Sequence, residues 1–257
     1  MTAAELARKI RNREQCVGYW VVLDAPVATE RLARLGYDYV ALDAQHGLIG
    51  NAGLLSNLMA IDAGGRSVGL VRVESGAPAA IGRALDFGAG GVIVPLVDSA
   101  EDAARAVSAA RYPAEGRRSY GPMRSMLRIG PTPAEADESV LVLAMIETPD
   151  GLADIEAICA TPGLDGVYVG PSDLCLAVGG RFPNDPEVAD VFEAALVKIG
   201  TAARDAGIAA GIHNPSGELA ARRLAEGFTF ATVASDLVHL EQAAAAHLKA
   251  ARGEQGS

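Results

Sequence analysis

Short β-branched runs alternate with longer helical patterns almost from one end of the chain to the other. Parallel strands must be joined by crossovers of a dozen or more residues, usually helical, so the alternation predicts a parallel sheet with helices outside it. The predicted strands are Gly18 to Leu23, Tyr39 to Asp43, Val68 to Val73, Gly91 to Val94, Val140 to Ile146, Gly166 to Val169, Ile208 to Ile212 and Thr229 to Val233. Eight is the number that closes a (β/α)8 barrel. The competing architecture, an open doubly wound sheet, wants a glycine-rich fingerprint after its first strand. Here Leu23-Asp24-Ala25-Pro26 follows that strand, and the cluster from Gly88 to Gly91 precedes a strand instead of opening a helix. The expected fold is therefore an α/β protein built as a (β/α)8, or TIM, barrel.

Helix punctuation supports it. Leu32 and Leu35 are expected on one face of the first crossover, with Gly36 closing it, and Asp185-Pro186 forms an N-cap and N1 pair. After that pair, Val188, Phe192, Ala195, Leu196 and Ile199 make an apolar stripe suited to a barrel wall, and Gly207 ends the helix. The 257 residues fit one α/β barrel, no Pro/Gly/Ser-rich linker divides them, and residues 1–257 are read as a single domain. The longest irregular stretch, Tyr112 to Asp137, carries Arg117, Arg118, Arg124 and Arg128; loops of that length are usually functional or disordered.

Composition excludes several classes. Half of the residues are hydrophobic and 21% are charged, which rules out a disordered chain. Twenty-two basic against 32 acidic residues give a net charge of -10, so neither nucleic acid nor an anionic membrane surface is an expected partner. No apolar run approaches the ~20 residues of a membrane span, and Met1 to Gln15 lacks the apolar core of a signal peptide, so a cytoplasmic location is expected. Cys16, Cys159 and Cys175 are odd in number and far apart, and are expected as buried thiols.

Barrel chemistry sits at the C-terminal ends of the strands, which directs attention to the ionisable residues there. The second strand ends in Asp43-Ala44-Gln45-His46, the third holds Arg72, the fifth ends in Glu147, and the sixth runs through Gly170-Pro171-Ser172 into Asp173. Glu147 and Asp173 top neighbouring strands, and two hard oxygen ligands suit Mg2+ or Mn2+; the plain alternative is that each caps a helix or pairs with an arginine. Asp43 is placed to orient the His46 imidazole as a general base, or else the two form a turn with a surface histidine. Arg72 in a buried strand needs a partner, either an anionic substrate or a structural pair with Glu147 or Asp43. His213 follows the seventh strand with nothing to tie it to a role, either as a rim contact or as a plain surface histidine, and His239 and His247 are expected at the surface.

With these positions identified, the chain resembles the HpcH/HpaI family of metal-dependent 2-keto acid aldolases over nearly its whole length. The matching segments are Gly36-Tyr37-Asp38-Tyr39 leading to Asp43-Ala44-Gln45-His46, then Val71-Arg72-Val73, the run from Leu85 to Pro95, Arg111-Tyr112-Pro113, Ile146-Glu147-Thr148, and Gly163-Leu164-Asp165-Gly166 continuing to Asp173-Leu174. The resemblance implies a barrel that assembles as a homo-oligomer, commonly a hexamer, with Glu147 and Asp173 as metal ligands, Arg72 as oxyanion partner and His46 with Asp43 as acid/base unit. It implies reversible cleavage of 4-hydroxy-2-oxo acids to pyruvate, or hydroxypyruvate, and an aldehyde, with Mg2+, Mn2+ or Co2+ as cofactor. Gln45, Gly170, Pro171, Ser172 and Asp86 are expected to contact substrate, Asp86 near a neighbouring subunit's site, and the C-terminal helix to make subunit contacts. Two positions depart from the family pattern: Gln45 stands where many relatives have Glu, and Met145 where some have Gln.

The residues suit that chemistry on physical grounds as well. A divalent ion and Arg72 would together stabilise an enolate oxygen, while His46 moves the proton of the substrate hydroxyl. Lys9, Lys198 and Lys249 all fall in helical segments, so no lysine is placed for a Schiff base. An acyl-CoA lyase of citrate-lyase β type, a 2-oxo acid decarboxylase, and a barrel that binds keto acids without turnover are the alternatives.

Overall fold

The computed structural model describes residues 1–253. Eight parallel strands form a closed barrel in sequential order: β1 (Cys16–Val21), β2 (Tyr39–Asp43), β3 (Val68–Arg72), β4 (Gly91–Val94), β5 (Leu141–Ile146), β6 (Gly166–Val169), β7 (Ala209–Asn214) and β8 (Phe230–Ser235), with β8 pairing back onto β1. Helix α1 (Ala3–Arg11) precedes the barrel, and α2 (Pro26–Ala33), α3 (Asn51–Gly64), α4 (Pro78–Asp86) and α5 (Ala100–Ala110) follow the first four strands. The second half carries α6 (Pro133–Ser139), α7 (Pro149–Ala153), α8 (Ile155–Cys159), α9 (Pro171–Ala177), α10 (Ala189–Ala206), α11 (Gly217–Ala225) and α12 (Asp236–Ala251).

The strand pleat sorts side chains into two cores. Inward-facing Cys16, Tyr39, Ala41, Leu70, Ile93, Leu143, Tyr168, Ala209 and Phe230 fill the barrel, while Val40, Leu42, Val71, Val92, Val142 and Val167 face the helices. Gly18 and Gly211 make room for rings: a Cβ on either would come within 2.1 Å of the Tyr39 or Phe230 ring. The hydroxyls of Tyr39 and Tyr168 meet the Thr232 hydroxyl at 2.7 Å each, which satisfies polar tips that burial would otherwise strand. The bottom of the barrel is plugged by α1 through Leu6, Ala7 and Ile10, and its start is fixed by a reciprocal capping box between Thr2 and Glu5. Each fully buried leucine or isoleucine in such a layer contributes about 1.5–3 kcal/mol.

The helix expected after Asp185-Pro186 is present, though Asp185 caps a short 3-10 turn that leads into α10, whose Gly207 end adopts the left-handed conformation at φ 76°. Leu35 does not share a buried face with Leu32: α2 stops at Ala33 and Leu35 is exposed. The three cysteines are buried free thiols, and all three lysines lie in helices. No helix among the described residues is long and apolar enough to cross a membrane. The arginine-rich stretch before α6 is pinned to the acidic ends of two helices. Arg118 pairs with Asp86, Arg124 and Arg128 with Asp62, and Arg124 also donates to the Phe87 carbonyl.

Candidate active site

The inward parity of each strand, followed to its C-terminal end, brings Asp43, Arg72, Glu147 and His213 into one layer at the mouth of the barrel. Asp43 and Arg72 are register partners across β2 and β3. The guanidinium grips the carboxylate with two bonds, Nε to Oδ1 at 2.9 Å and Nη2 to Oδ2 at 2.5 Å, both partners being buried. Trp20 lies beside this pair: its Nε1–H donates to Asp43 Oδ2 at 3.3 Å, and Arg72 sits 5.2 Å above its ring. Tyr168 stacks on Trp20 at 5.9 Å, so the indole is held from three sides. Burial pulls the Asp43 pKa upward, but the bonds and charge of Arg72 and two backbone N–H groups outweigh it and leave the carboxylate below its ordinary value.

Those backbone donors correct one expectation. Asp43 Oδ1 accepts from the N–H of Gln45 at 3.0 Å and of His46 at 3.1 Å, forming a turn, and its charge is committed to Arg72. The His46 imidazole is exposed and donates no hydrogen bond to Asp43, whose oxygens accept from the Gln45 and His46 backbone, Arg72 and Trp20 instead, so the carboxylate–imidazole unit is not formed. Asp43 instead fixes Arg72 and places the His46 backbone. The physical reason is reach: a carboxylate three residues before an imidazole, at a strand end, meets the intervening N–H groups first.

Glu147 is buried; its Oε1 accepts the Leu96 N–H at 2.9 Å, while its Oε2 is shielded and has no partner among the described residues. Leu96 adopts φ 53° to deliver that bond, a conformation costly for a side chain with a Cβ and characteristic of functional sites. Desolvation raises the Glu147 pKa, the nearby Asp173 adds to it, and Leu96 and Arg72 oppose it. Gly170 lets the carboxylate pack directly against the turn after β6: a Cβ there would stand 2.5 Å from Glu147 Oε2 and 2.5 Å from Met145 Cε. Asp173 lies exposed in the first turn of α9, after Gly170 as N-cap and Pro171 at N1, and the cap is not made by a side chain. Thr148, not Glu147, caps α7. Neither acid is thus a helix cap.

Among the described residues no three His, Cys, Asp or Glu side chains form a cluster that could hold a metal unaided. The pair still suits a hard divalent ion that keeps most of its ligands as water or substrate, because a shielded carboxylate oxygen without a partner, near a second carboxylate, is costly until a cation meets it.

Gln45 is half-buried with its Oε1 shielded and unpartnered, and Ser172 is exposed at the start of α9. Asp86 stands at the end of α4, where it pairs with Arg118 at 2.9 Å on the wall of a groove of about 1280 Å3 that also reaches Leu96. His239 is exposed but bonded through Nδ1 to the Tyr19 hydroxyl at 2.8 Å. Trp20 and Leu96 are site residues that the sequence did not single out, and His213, named there without a role, joins them. The chain's one tryptophan at an inward position of β1 was a usable signal, and so was His213 two residues beyond the inward Gly211, whereas Leu96 offered none.

Closed β8-β1 topology with ionisable groups gathered at the C-terminal mouth defines a (β/α)8-barrel enzyme. A family model described as HpcH/HpaI aldolase/citrate lyase matches residues 16–243, and the chain belongs to this family as an enzyme of the aldolase class. It is 42% identical over 226 residues to a hydroxypyruvate/pyruvate aldolase of Rhizorhabdus wittichii, covering 88% of this chain and 89% of the relative. A 5-keto-4-deoxy-D-glucarate aldolase of Klebsiella pneumoniae is 39% identical, with 86% of each chain covered. The crystal structure of an HpcH/HpaI aldolase/citrate lyase family protein from Burkholderia cenocepacia superposes with a TM-score of 0.87 at 31% identity, over 97% of this chain and 99% of that one.

Proposed function

We propose that this protein is a divalent-metal-dependent aldolase that reversibly cleaves 4-hydroxy-2-oxo acids to pyruvate or hydroxypyruvate and an aldehyde. The observation that carries the reading is Glu147 Oε2, shielded and without a partner among the described residues, under the influence of the Asp173 carboxylate. Glu147 and Asp173 would hold Mg2+, Mn2+ or Co2+, which when bound supplies Lewis acidity toward the 2-oxo acid. Arg72 has spent Nε and Nη2 on Asp43, and its Nη1, which bonds no described residue, is left to face the oxygen on which enolate charge develops. Asp43 acts as the positioning residue that aims this edge. His46, exposed on the turn after β2, takes the proton of the substrate 4-hydroxyl in cleavage and returns it in synthesis, through water where the ring stands away. Gln45 and the Gly170-Pro171-Ser172 turn line the way in. Assembly, with a hexamer as the expected form, is proposed to use α12, none of whose residues is buried in the single chain, and to bring Asp86 toward a neighbour's site. A cytoplasmic location is part of the same proposal.

The test is metal-dependent exchange of pyruvate methyl protons into D2O, followed by product analysis with pyruvate and an aldehyde and, separately, with oxaloacetate. Exchange with aldol formation supports the reading. Absence of exchange leaves a keto-acid-binding barrel, and decarboxylation without aldol formation indicates a decarboxylase.

A further inference from the structure

The mouth layer contains four inward-facing ionisable side chains, and three have been given work: Asp43 and Arg72 hold each other, and Glu147 faces the metal position. His213 is the fourth. Register places Ile212 beside Val169, so His213 stands next to Gly170, on the strand that follows the one leading to Asp173. Its ring meets Trp20 edge-on at 5.3 Å and 70°, and Trp20 is itself fixed by Asp43, Arg72 and Tyr168. The imidazole is therefore held in place without a hydrogen bond to any described residue.

The surroundings also decide its proton. Nδ1 is shielded and has no partner among the described residues, while the ring as a whole is only half-buried, so the open edge is the Nε2 side. A shielded N–H without an acceptor is costlier than a shielded lone pair, which puts the proton on Nε2. Desolvation, with help from Arg72 and against the pull of Asp43, lowers the pKa to about 4, and the ring is neutral near pH 7. What faces the mouth is a fixed, uncharged N–H donor that no described residue uses.

We propose that His213 is a specificity residue that donates a hydrogen bond from Nε2 to a hydroxyl oxygen of the acceptor aldehyde, so that the preferred acceptor is a short hydroxyaldehyde. The inference rests on the aldolase reading above and adds the chemical class of the second substrate to it. A hydroxyl suits this place better than a second carboxylate, because the surrounding charges are Glu147, Asp173 and an arginine already neutralised by Asp43.

Glycolaldehyde and acetaldehyde differ by one hydroxyl and form the test pair, each combined with pyruvate. The parent enzyme should favour glycolaldehyde in kcat/KM. His213→Leu should lower the glycolaldehyde-to-acetaldehyde ratio about tenfold, the size of one hydrogen bond to an uncharged group, and His213→Gln, which keeps an N–H donor, should recover part of it. Proton exchange of pyruvate alone reads the metal side of the site without any aldehyde, and circular dichroism reads the fold. A ratio unchanged in His213→Leu overturns the proposal. So does a loss with both aldehydes in proportion to the exchange rate, since His213 would then merely support the layer. A parent without exchange is a different result, and overturns the aldolase reading itself.

Discussion

Asp43 and Arg72 face each other across neighbouring strands and share two parallel hydrogen bonds, so the guanidinium arrives at the mouth with its direction fixed and its charge balanced. Removing one member leaves the other charged and buried, which costs about 3–5 kcal/mol. Asp43→Ala should therefore destabilise the protein by that amount in urea unfolding, and the double variant with Arg72→Ala should lose less than the sum of the two single changes. The depressed Asp43 pKa gives the same pair an acid limb. Its contribution is complete above the ordinary carboxylate pKa and disappears as pH falls through the lower folded value, so Asp43→Asn should flatten that limb. Additive single and double variants would show that the two side chains are not coupled.

The Glu147–Asp173 pair predicts a metal-linked gain in stability. At a free metal concentration about a hundred times Kd, binding should add about 2.7 kcal/mol, which for a domain of this size is a rise of several degrees in Tm. Glu147→Gln and Asp173→Asn should each abolish the rise, and EDTA should remove both the rise and the activity. Because desolvation and Asp173 raise the Glu147 pKa, protons should compete with metal at a higher pH than for an ordinary carboxylate, and affinity should weaken as pH falls toward that value. Full activity after exhaustive chelation, or borohydride trapping of pyruvate on a lysine, would contradict metal dependence.

Much of this arrangement was legible in the sequence, for a physical reason. Barrel strands are buried on both faces and read as apolar runs, so an Arg72 or a Glu147 at a run's end is conspicuous. The strand count and order followed from the alternation, and β2, β4 and β6 have the expected bounds. Less visible was where strands stop: β7 and β8 continue two residues past the expected ends, which turns His213 from a loop residue into part of the mouth layer. Partner choice was also hidden. Asp43 could serve His46 or Arg72 on spacing alone, and only the β2–β3 register decides for Arg72. Leu96 shows a further limit, since its N–H reaches Glu147 through a backbone conformation that its side chain does not favour.

His213 should couple folding to pH, which a freely exposed histidine with one pKa in both states would not. Its pKa falls from an ordinary 6.5 to about 4 in the folded state, so between these values the unfolded chain binds more protons. Stability should therefore be lost as pH falls from about 6.5 toward 4, with no further loss from this group below. His213→Leu should remove that component while leaving the acid limb of Asp43 in place. Urea titrations at pH 7, 5.5 and 4.5 would check it, and parallel curves for parent and variant would show that the imidazole titrates normally.

Helix α12 predicts association. It begins cleanly, with the Ser235 hydroxyl capping the Val238 N–H, yet none of its residues is buried. In a (β/α)8 barrel the last helix would ordinarily bury an apolar stripe on the wall. Leu237, Leu240, Ala244 and Leu248 form such a stripe at i, i+3, i+7 and i+11, and Leu240 and Leu248 remain 60% and 52% exposed. A stripe of this kind left open to water on a single chain marks an interaction surface, and the run Ala243 to Ala246 would let a second backbone approach closely. Light scattering should return a multiple of 26.4 kDa, with the hexamer as the expected form. Leu240→Glu together with Leu248→Glu should shift the protein to smaller species without unfolding the barrel, because neither side chain supports the core. A single-chain mass for the parent at micromolar concentration would overturn the assignment of this helix to assembly.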